Sequence, residues 1–228
     1  GALTSTQIGA LLTTQIAALT TNQVAAIETN DLAGLSTAQM RGFQTQDIAS
    51  LNTAQVGALT STQIGALLTT QIAALTTNQV AAIETHDLAG LSTVQMRSIQ
   101  TDDLSSLNST QVLALASNQL AALTTVQISA LHTGQITALT SVQVGSLTSA
   151  QISALTTNQV AAIETNDLAG LSTAQMRGFQ TQDIASLNTA QVGALTSTQI
   201  GALLTTQIAA LTTNQVAAIE THDLAGLS

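Results

Sequence analysis

Large apolar residues recur along this chain at alternating steps of five and three: Leu3, Ile8, Leu11, Ile16, Leu19, Val24, Ile27, Leu32. The alternation defines an octad, and twenty-eight octads fill residues 3–226 without a break. Position one is large and apolar, and Phe43 and Phe179, the chain's two aromatic residues, both stand there. Position three is always Ser or Thr, position five Gln or Asp, position six branched or long apolar, and position eight small. Positions two, four and seven vary, holding residues as unlike as Leu12, Glu28 and His132, or Arg41 and Thr137. The constrained positions belong inside a repeating coil, and the variable ones face outward.

Two backbones fit this pattern. In the favoured one each octad is a short helix of about one and a half turns, and the octads stack as an α-solenoid. Ser5, Thr13, Thr21 and Thr29, at position three, are then the expected N-caps. Position six and the next position one, such as Ile8 with Leu11, share an inner face at i, i+3 spacing. Shifting the cap one residue earlier makes position five the N3 residue of a capping box. Leu12, Glu28, Gln44 and Ala116 are poor caps, so that register is not expected throughout. All twelve acids fall at positions two, four and five, and Arg41, Arg97 and Arg177 all fall at position seven. That polarity suits a helix dipole. Most glycines lie at positions seven or eight, where a helix would end and turn.

The alternative is a β-solenoid, with positions one, three and five alternating inward. It must bend between the two constrained positions five and six. It must also bury Asp at position five, and a coil of two octads would stack Asp31 on Asp47 at a high desolvation cost; a coil of three would not.

Burial of one Leu and one Ile contributes roughly 3–6 kcal/mol, whereas ordering eight backbones costs roughly 8–16 kcal/mol. A lone octad cannot fold, so the phrase must repeat. The expected core comprises Leu3, Ile8, Leu11, Ile16, Leu19, Val24, Ile27, Leu32, Phe43 and Phe179. Residues 19–92 recur identically as 155–228, an offset of a whole number of octads. The expected organisation is one continuous solenoid over residues 1–228 with no internal boundary.

Composition narrows the function classes. There is no Lys, Pro, Cys, Trp or Tyr, and the net charge is −9 with a pI near 4.2. Nucleic-acid binders depend on Lys and Arg against phosphate, often with aromatic stacking, so that class is excluded. No apolar run is long enough to span a bilayer, and without Cys there are no disulfides or thiolate metal sites. No Ser has a distinctive His and Asp context, so no enzyme and no cofactor are expected.

His86 and His222 stand beside Asp87 and Asp223 in "ETHDL". Asn30 and Asn166 fill the same place in "ETNDL", which favours an exposed variable residue over a metal site. One His and one carboxylate fall short of a zinc ligand set. Glu28, Asp31 and Asp47 offer hard oxygen ligands for calcium, but no calcium-loop motif accompanies them. Charge complementarity at helix N-termini is the favoured reading. The Ser/Thr row at position three does not make a regular exposed ice-binding array, because its flanking positions vary too widely.

The string "LTTNQVAAI" (Leu19–Ile27) resembles the opening of the first helix in TAL-effector repeats, which implies a local helix. The second helix and base-reading loop of those repeats are absent, and DNA binding is not implied. The Thr/Ala/Leu/Gln-rich, Lys-free acidic tract resembles the repeat regions of giant secreted bacterial surface and filament proteins. That resemblance implies a secreted or cell-surface filament, stalk or matrix fibre whose partner is itself, with Arg41, Arg97 and Arg177 available to acids such as Glu28 and Asp31 of a neighbour. The other class consistent with the repeat is an adhesin or binding module displaying the variable positions.

Overall fold

Among the described residues the octad runs extended at positions one and two and then closes into a helix of four to six residues, twenty-seven times over. The computed structural model describes residues 4–223. Among these the chain forms twenty-seven short helices, beginning with α1 (Ser5–Gly9), α2 (Thr13–Ile16), α3 (Thr21–Ala25), α4 (Thr29–Ala33), α5 (Thr37–Gly42) and α6 (Thr45–Ser50), and no strand. The fold is therefore a short-helix solenoid, and the β alternative is set aside.

The helix start is one residue earlier than expected. Ser5, Thr13, Thr21 and Thr29 are first helical residues, and the N-caps are Thr4, Leu12, Thr20 and Glu28. Those caps have extended backbones, as Thr20 does with φ −82 and ψ 156. The reason lies at position five. Gln at N3 turns its Oε1 back to accept the N-cap N–H, as from Thr4 at 2.9 Å and from Leu12 at 2.8 Å. Where position two is Thr, Ser or Asn, its side chain commonly completes the capping box by accepting the Gln N–H. Where it is Leu12, Leu68 or Ala116, the glutamine half suffices.

At the other end, the position-one N–H donates to the position-six carbonyl, as Leu11 does to Ile8 at 3.1 Å. This i, i+3 bond tightens the last turn before the chain extends again. No described residue, glycine included, has a positive φ. Glycine is thus not needed for the turns, contrary to the expectation, and at some positions it serves close approach instead. A Cβ on Gly65 would lie 2.6 Å from the Gly90 carbonyl oxygen, and one on Gly90 would lie 2.6 Å from that of Ser61.

Contacts group into two units, Gly1–Leu115 and Ala116–Ser228. In the first, α4 packs on α1, α5 on α2 and α6 on α3. In the second, α19 (Ser149–Ala154) packs on α16 (Thr125–Ser129), and α23 (Thr181–Ser186) on α20 (Thr157–Ala161). Within each unit every helix meets the third one along. One coil is therefore three octads, or 24 residues, with three columns of stacked helices around it.

Positions one and six fill the space between the columns. Ile8, Ile16, Val24, Ile27, Leu32, Phe43 and Phe179 are buried as expected. Leu11 and Leu19 are half-buried, because they lie in the first described coil and are covered from one side only. Leu3 lies outside the described residues.

Position five joins the coils. Gln63 Nε2 donates to the carbonyls of Leu35 and Leu32, each at 2.8 Å, and Gln79 Nε2 donates to Leu51 at 2.6 Å and Ile48 at 2.8 Å. The second unit repeats this, with Gln151 on Leu123 and Gln207 on Phe179. These carbonyls stand at the C-terminal end of a helix in the preceding coil, where the position-six carbonyl already accepts the position-one N–H and gains the amide as a second donor. One amide therefore caps its own helix start with oxygen and the preceding coil's helix end with nitrogen.

Candidate functional site

The acids interrupt this ladder. Asp replaces Gln at residues 31, 47, 87, 103, 167, 183 and 223, and its shorter side chain has no donor when ionised. The chain accommodates it in two ways. In the octads with Glu at position two, the aspartate accepts a hydroxyl from position three of the preceding coil. Ser61 Oγ donates to Asp87 Oδ1 at 2.7 Å, Ser141 to Asp167 at 2.6 Å and Ser197 to Asp223 at 2.6 Å, and Ser5 donates likewise to Asp31. In the "QTQDI" octads, Asp47 and Asp183 instead use Oδ2 to accept the N–H of Gln44 and Gln180, each at 3.0 Å. Their Oδ1 atoms are buried without a hydrogen-bond partner, as is Oδ2 of Asp103, whose Oδ1 accepts from Thr77. Desolvation by burial raises the Asp183 pKa above the usual aspartate value, against the opposing Gln180 hydrogen bond.

Glu28, Asp31 and Asp47, which offer oxygen ligands but which the sequence assigns to charge complementarity, are not gathered into one site. Asp31 is on α4 and Asp47 on α6, in different helix columns, and Ser5 and the Gln44 N–H each engage one oxygen of their carboxylates. Glu28 is an exposed N-cap.

The structure instead brings together two groups of three ligand-type side chains. Glu84, His86 and Asp87 occupy N-cap, N2 and N3 of α11 (Thr85–Leu88). His86 Nδ1 lies 3.4 Å from Glu84 Oε2, and Nε2 lies 3.1 Å from Asp87 Oδ1. Glu220, His222 and Asp223 repeat the arrangement at 3.3 and 3.2 Å. By sequence adjacency His86 pairs with Asp87 alone. The Glu-x-His-Asp spacing becomes a signal once the helix start is placed at the glutamate. His132 is an exposed N-cap whose backbone N–H donates to Gln135 Oε1.

Arg41 is exposed, but its Nε donates to the Ala66 carbonyl at 2.9 Å, and Arg177 does the same to Ala202 at 3.1 Å. Both arginines thus help to close helix ends within their own unit. Arg97 occupies the equivalent position on α12 (Thr93–Ser98).

The geometry of cap, ladder and core spells a phrase running from position eight to position five: Ala58–Gln63 reads "ALTSTQ" and Ala74–Gln79 "ALTTNQ". The ALTTAQ repeat family model matches residues 24–61, 41–77, 80–117, 96–133, 132–162, 160–197 and 178–213. The chain belongs to the ALTTAQ repeat family. In ALTTAQ terms the Leu is core, the first Thr is the N-cap, and the Gln joins the coils. No curated protein matches the chain.

Proposed function

We propose that this ALTTAQ repeat chain is a structural element: a segment of an extracellular filament, stalk or matrix fibre that associates with further copies of itself. The reading places it in the secreted or cell-surface compartment and gives it no catalytic role. One observation carries it. The same glutamine ladder and apolar filling recur from coil to coil within each unit, while the residues that change from octad to octad point outward. Such a design specifies length and stiffness in place of a single reactive centre.

Self-association is supported by the outward surface, where Leu12, Val94, Val126 and Val142 are each more than 60 % exposed. Only 7 % of residues are charged, so repulsion between copies is modest. The structure alters the expected charge pairing. Asp31 is buried and engaged by Ser5, which leaves Glu28 as the exposed acid that a neighbour's arginine could reach.

Electron microscopy and sedimentation of the purified chain over a range of protein and salt concentrations test this reading. Filaments or lateral bundles that grow with protein concentration are expected. A monomer under every condition would overturn it.

A further inference from the structure

We propose that Glu84, His86 and Asp87, and their copy Glu220, His222 and Asp223, each bind a divalent first-row transition-metal ion such as zinc or nickel. In each group one ligand atom per residue lies within 4.8 Å of the others. The close pairs are 3.1–3.4 Å apart. Ligands about 2.0–2.1 Å from a tetrahedral or octahedral ion stand roughly 2.8–3.4 Å from each other, so the 3.1 Å pair of His86 Nε2 with Asp87 Oδ1 approximates one coordination edge, while Glu84 lies beside the other ring nitrogen and turns to complete the set.

The set is pre-organised on its buried side. Asp87 Oδ1 is held by Ser61 Oγ of the preceding coil, and Asp223 Oδ1 by Ser197 Oγ. The glutamate and histidine side chains are exposed, at 59–71 %. They can swing one nitrogen and one oxygen onto an ion, with water filling the remaining positions. A neutral imidazole offers one lone pair and one N–H, which suits one metal bond and one bond to a carboxylate. Imidazole with carboxylates favours zinc, nickel and copper over calcium or magnesium, which prefer all-oxygen shells.

The chain contains its own controls. Glu28, Asn30 and Asp31, and Glu164, Asn166 and Asp167, present the same octad with an amide in place of the imidazole. His86→Asn and His222→Asn therefore copy local sequences that already fold.

The test is isothermal titration of the full chain, purified without a polyhistidine tag, with zinc chloride. The expected stoichiometry is two ions per chain for the native sequence, one for either single variant and none for the double variant, with unchanged far-UV circular dichroism. Ser61→Ala is expected to weaken one of the two sites about tenfold, by releasing the positioning hydroxyl. A twentyfold excess of calcium over zinc should leave binding unchanged. Absence of saturable binding at millimolar zinc, or undiminished stoichiometry in the double variant, would overturn the assignment.

Discussion

Glutamine at position five combines a donor and an acceptor at the reach needed to bridge two coils. Aspartate keeps the acceptor and, when ionised, loses the donor. The exchange is tolerated where a hydroxyl lies beneath the carboxylate, as Ser61 lies beneath Asp87. It is poorly matched at Asp183, which is fully buried and whose Oδ1 has no partner. Burial raises the folded-state pKa of Asp183, so the folded chain holds this proton more tightly than the unfolded chain does. The associated stability is fully present below the ordinary aspartate range near pH 4 and is lost as pH rises through the folded value. Asp183→Gln removes the ionisable group and restores a donor toward the carbonyls of Leu155 and Ile152, the places reached by Gln159 and Gln207 in their own coils. The substitution should raise stability at neutral pH by about 1–3 kcal/mol, and by less in acid. Thermal melts at the two pH values check both size and sign. The restriction of position five was legible in the sequence. The reason for it was not, because the partner carbonyls lie 28 and 31 residues away.

At the scale of the element, a helix of five residues has more open backbone groups than closed ones. It persists because its ends are closed from outside. Helix existence, polarity and inner face followed from the octad pattern, as Ile8, Val24 and Leu32 illustrate. The cap register did not. An unvarying Ser or Thr at position three reads as an N-cap, yet residues as unsuited as Leu12 and Leu68 stand at the true cap. Propensity rules assume that the cap closes itself, whereas here the closure comes from N3. Gln79 shows the dependence: its Oε1 accepts from the Thr76 N–H at 2.7 Å while its Nε2 serves Ile48 and Leu51. Gln79→Leu should destabilise the chain by about 1–3 kcal/mol for the groups left buried and unpaired. It should also speed hydrogen exchange at the Thr76 amide. The same change at the exposed Gln46 should do neither. Denaturant unfolding with amide exchange measures both.

At the scale of the whole molecule the governing number is three octads to a coil within each of its two units. The sequence alone left the count open, since every octad obeys the same rules and any integer preserves them. The aspartates carry a trace of it. No two of the seven at position five are 24 residues apart, so none stacks on another in its column. Asp31 and Asp47, two octads apart, would have met in a coil of two. The count is tested most directly by engineered disulfides, because the chain has no native cysteine. Ser61 and Asp87 touch through their side chains across one coil, 26 residues apart. Gln79 would take the place of Asp87 in a coil of two octads, and Gln95 in a coil of four. The account predicts that Ser61→Cys with Asp87→Cys forms an intramolecular disulfide under mild oxidation, as seen by mass and peptide mapping. Ser61→Cys with Gln79→Cys or with Gln95→Cys should remain reduced. Preferential crosslinking to position 79 or 95, with position 87 left free, would contradict it.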